Sequence, residues 1–171
     1  MSRRLEESLR RIDRKIKKLE AIERRDPLLH NSSSVTNTDN KSGDTLIAGL
    51  SSAASLTAGN LVFLNSSKQW TKASAGNGSD GGNEHLIGIA LTSTPHNSGI
   101  LTTGLYNLNT SLVSGSSGTF DIGKQVFMSP ETSGSFTTII PSGSGQDVRV
   151  LGHAVDVTII YFNPSGDYIE I

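Results

Sequence analysis

Cysteine is absent from the 171 residues, so neither a disulfide nor a thiolate metal site can form. No apolar run approaches the roughly 20 residues that a membrane-spanning helix needs. The N-terminus is charged from Arg3 onward and lacks the apolar stretch of a secretory signal. The chain therefore reads as soluble, with no membrane partner. Aromatics make up 5% and hydrophobic residues 35%, both low for a compact enzyme of this length. No G-x-S-x-G, P-loop or H-E-x-x-H occurs. His30, His85, His96 and His153 stand at no metal-ligand spacing, and Asp121, Glu131, Asp147, Asp156, Asp167 and Glu170 are scattered near turns. There Asp serves turn geometry. Segment 75–84 (AGNGSDGGNE) lacks the D-x-D-x-D-G ligand spacing of a calcium loop. These absences predict a protein that is not an enzyme, with no cofactor and no metal.

What is present divides the chain in two. Residues 1–25 carry ten Lys/Arg against five Asp/Glu, a balance of +5, and the remaining residues carry five against eleven, a balance of −6. Leu5, Leu9, Ile12, Ile16 and Leu19 are spaced 4, 3, 4, 3, the heptad pattern of a coiled coil. With Leu9 and Ile16 at position a, the d positions are Leu5, Ile12 and Leu19. Lys15 then falls at g and Glu20 at the following e, placed to pair between helices. Mixing Leu and Ile along this seam leans towards three strands. Asp26-Pro27 ends the helix, because the residue before proline avoids the α region. A basic arm also invites nucleic acid, but its charges surround the helix and no aromatic lies among them. Residues 31–44 (NSSSVTNTDNKSGD) have no periodicity and read as linker.

From Thr45 onward, short runs rich in Val, Ile, Thr and aromatics alternate with Gly/Ser/Asn clusters, which predicts an all-β body. The body repeats. LTAGNLVFL at 56–64 aligns with FDIGKQVFM at 120–128, and LIGIAL at 86–91 with VLGHAV at 150–155, both at an offset of 64 residues. Trp70-Thr71 and Phe136-Thr137 follow in each copy and read as an exposed aromatic-Thr pair on a hairpin. Gly59 and Gly123 suit a turn with positive φ, and the G-x-A step of the returning strand suggests close backbone approach or a bulge. The expected organisation is an arm at 1–26, a linker at 27–44 and β units at 45–108 and 109–171, packed as a small barrel or sandwich.

Residues 119–128, 141–145 (PSGSG), 148–152 (VRVLG) and 160–171 together resemble a module found at the C-termini of tailed-bacteriophage virion proteins. The first copy, through Gly59-Asn-Leu-Val and Leu86-Ile-Gly-Ile-Ala, is similar to small capsid-decoration proteins with a β-tulip-like core. The resemblance implies a homotrimeric structural protein on the virion surface, assembled in the host cytoplasm. Its partners would be itself and other capsid or tail proteins. A competing expectation is recognition of a host surface glycan by loops around Trp70, Tyr106 and Tyr161.

Overall fold

A computed structural model describes residues 41–171 apart from Leu50, Ala54, 77–80 and 115–117. The expected arm lies outside the described residues, and with it Leu5, Leu9, Ile12, Lys15, Ile16, Leu19 and Glu20. The described chain is mainly β. Its first half contributes β1 (Lys41–Leu46), β2 (Ser51–Ser52), β3 (Leu61–Leu64), β4 (Gln69–Lys72), β5 (Ile87–Ala90), one helical turn α1 (Pro95–Ser98) and β6 (Ile100–Asn107). The second half contributes β7 (Val113–Ser114), β8 (Gln125–Met128), β9 (Phe136–Thr137), β10 (Asp147–Val148), β11 (Val150–Ala154), β12 (Ile159–Phe162) and β13 (Ile169–Glu170).

Eleven strands form one sheet in the order β2-β4-β3-β5-β6-β12-β11-β8-β9-β7, with β1 also paired to β6, while β10 and β13 pair separately. The order does not return on itself, so the closed barrel among the expected architectures does not form. β1 begins inside the stretch expected to be linker. None of its residues is buried, so it carries no alternation to read; its backbone is held by β6, from Lys41 opposite Tyr106 to Leu46 opposite Ile100.

The strand order is the same read from either end, and the hydrogen bonds follow it. Gly59 N donates to Ala90 O at 2.8 Å and Gly123 N to Ala154 O at 2.8 Å; Ala90 N donates to Asn60 O at 2.9 Å and Ala154 N to Lys124 O at 2.9 Å. Gly59 and Gly123 have φ of 89° and 82°, a conformation that disfavours a side chain. Even the turn side chains correspond: Thr57 Oγ1 donates to Asn60 Oδ1 at 3.2 Å, where Lys124 Nζ donates to Asp121 Oδ2 at 2.8 Å.

The two halves use this shared framework differently. Leu56, Val62, Trp70, Ala90 and Ile100 pack as one cluster with Leu64 beside it. Their counterparts Phe120, Val126, Phe136, Ala154, Ile160 and Met128 belong to a larger cluster, which also takes in Leu61, Phe63, Ile87, Ile89 and Leu101 of the first half. Neighbouring residues of a strand point to opposite faces, so the first half lays its reverse face on the second half's core. Each fully buried Leu, Ile or Phe there contributes about 1.5–3 kcal/mol. The change of side is made in β6. Asp44 pairs with Thr103 but Thr45 with Leu101, leaving Thr102 as an extra residue. A bulge of this kind reverses which residues face the core, from Leu101 before it to Tyr106 and Leu108 after it.

Candidate functional site

The aromatic residues expected at the surface are inside. Trp70 is fully buried and its indole Nε1 donates to Ala48 O at 2.7 Å. Phe136 is fully buried as well, and Tyr106 is 4% exposed, its hydroxyl pKa raised by burial. Both aromatics of the repeated pairs therefore belong to cores, because Trp70 stands opposite Leu64 and Phe136 opposite Met128 on the packed face. Of the three aromatics expected to meet a sugar, Tyr161 alone keeps partial exposure.

The histidines are dispersed. His85 leans on the Phe63 ring at 5.3 Å, His96 Nδ1 lies 2.7 Å from Ser52 Oγ, and His153 is exposed between Gln125 and Tyr161 on neighbouring strands. His30 lies outside the described residues. Among the described residues, no three His, Cys, Asp or Glu side chains are placed to hold a metal ion.

A polar cluster that the sequence did not flag ties the halves together. Asp147, expected near a turn, lies instead in β10 and is 2% exposed. Its carboxylate accepts from Asn83 Nδ2, and it stands opposite Glu170 on β13. Burial, then the charges of Glu170 and Glu84, raise its pKa above the ordinary aspartate value. Arg149, buried between β10 and β11, spends its donors on backbone: Nε reaches Ser165 O at 2.7 Å, and Nη1 reaches Asn83 O at 2.8 Å and His85 O at 3.1 Å. Burial lowers its pKa. Tyr168 donates to Glu84 Oε1 at 2.6 Å, and that bond is the main reason its hydroxyl pKa is raised. These groups hold loops in place. The one readable signal was an arginine inside the apolar run V-R-V-L.

Two surface features remain. A groove of about 550 Å³ in the second half is bordered by Pro130, Glu131, Thr137, Ile139, Ile140 and Pro141. Ile139 and Ile140 are 62% and 58% exposed, and Ile122, Val155 and Val157 are also open to solvent. Exposed apolar groups gathered in one region point to contact with another surface. No protein-family model matches the chain, no curated protein is significantly similar to it, and no solved structure matches its fold.

Proposed function

We propose that this chain is a structural protein of a bacteriophage virion, a homotrimeric decoration protein or short fibre on the capsid or tail. In this reading 1–26 attach or trimerise the protein and the β body is exposed. The observation that carries it is the resemblance of 119–128, 141–145, 148–152 and 160–171 to virion modules. The buried polar groups are in keeping with it, since Arg149 is used to fix backbone and Asp147 to hold the Asn83 side chain. Glycan recognition through aromatic stacking loses Trp70 and Tyr106 to the core and is the weaker alternative. A basic-arm nucleic-acid binder is weaker still, and would need an affinity that falls steeply with salt.

Antibody labelling and imaging of purified particles test the proposal. Regularly spaced label on capsid or tail is expected. A protein found only in the soluble fraction of infected cells would refute it.

A further inference from the structure

We infer that Ile122, Val155 and Val157 form the surface through which the β bodies of neighbouring copies of this chain touch one another. These residues are 62%, 52% and 43% exposed. Backbone hydrogen bonds hold their segments side by side: Gly123 N to Ala154 O at 2.8 Å, Phe120 N to Val157 O at 2.8 Å, and Val155 N to Ile159 O at 2.8 Å. The surroundings are polar. The Asp121–Lys124 ion pair lies on one segment, and Asp156 accepts from Val157 N through its own carboxylate on the other. An apolar centre with a polar rim is the anatomy of a contact surface.

The framework of the half does not demand these side chains. At the matching positions of the first half, 64 residues earlier, the chain has Ala58, Leu91 and Ser93, and Leu91 is packed against the core. The apolar trio is thus particular to the second half.

Its position says what covers it. Lys41, Tyr106, Ile160 and Ala154 pair in one row across β1, β6, β12 and β11. Lys41 is therefore about 15 Å, three strand spacings, from Ala154. β1 runs antiparallel to β6, so the chain enters the body at the end of the sheet where Val155 and Val157 lie. Forty residues precede Lys41, among them the heptad seam. Three side chains fall far short of the roughly 800 Å² per partner that a free-standing complex buries, so an untethered protein would not stay. A copy tethered through associated arms works at an effective concentration on the order of millimolar, where so small a contact is populated. The inference rests on the trimer proposed above.

The test uses the full chain. Val155→Ser with Val157→Ser, the latter being the residue of the first half, should raise the assembly midpoint in sedimentation equilibrium roughly tenfold for the apolar area lost. Ile169→Lys, a substitution at a residue 69% exposed beside Val148, should leave the midpoint unchanged. Because the chain has no cysteine, Val157→Cys gives a unique thiol that the oligomer should shield from alkylation relative to Ile169→Cys. An oligomer indifferent to the serine pair, or a thiol at 157 as reactive as one at 169, overturns the contact and leaves the trimer standing. A wild-type chain that stays monomeric overturns both.

Discussion

Asp147 carries a charge that the fold tolerates at a cost. Its raised pKa means the folded chain holds the proton more tightly than the unfolded chain does. The stability from that proton is complete below the unfolded value of 3.8 and is lost as pH rises through the folded one. Asp147→Asn keeps an oxygen for the Asn83 amide and removes the charge, so it should be the more stable protein at pH 7. Melting curves should show that advantage shrinking as pH falls through the folded value and gone once pH is below 3.8. A wild type that is more stable than the variant at pH 7 would contradict it. Glycines separate two other effects. At Gly123 an added methyl meets nothing, so Gly123→Ala should cost only the conformational penalty of φ 82°, about 1–2 kcal/mol. At Gly152 the methyl would run into the Tyr161 carbonyl oxygen, so urea melts should place Gly152→Ala well below Gly123→Ala. The turn glycines were legible because their spacing repeats. Trp70 was misread because a hairpin aromatic looks the same in sequence whether its face is covered or open. The roles of Asp147 and Arg149 are not legible because their partners, the Asn83 side chain for one and backbone oxygens for the other, lie far along the chain.

β1 joins the sheet through β6 and buries none of its residues, whereas β11 has β8 on one side and β12 on the other. Local opening free energy follows buried contacts and paired backbone. Amides of 42–46 should therefore exchange with deuterium far sooner than those of 151–154 in native-state mass spectrometry. Equal protection would mean that something covers β1. Strands with a strong apolar signature, such as β3, β5 and β12, could be placed from their residues. The first four residues of β1 could not, since KSGD reads as linker until β6 is known to lie beside it. The change of face in β6 was hidden for a related reason. One extra residue, Thr102, reverses the side on which every later residue falls, and composition is blind to such a step.

For the whole molecule, the proposed trimer separates arm from body. Ile12→Asp puts a charge into the seam at a cost of roughly 3–5 kcal/mol if unpaired. Sedimentation should then fall from three times 18.1 kDa to that mass, with the β signal in circular dichroism retained. Loss of the β signal would mean that the body depends on the arm. The body itself holds a second lesson about assembly. One half rests its back on the core of the other, and two copies of one framework joined this way are related head to tail. Such a relation does not close on itself; among separate chains it would extend as a filament. Covalent linkage halts it at two members, and the residues at the far side act as a terminus. Where the first half has Leu61 and Ile89, the second has exposed Gln125 and His153, much as a capping repeat ends a solenoid with a polar outer surface. Gln125→Leu with His153→Ile should remove that terminus, and electron microscopy of the variant should find strings of molecules where the parent gives single particles.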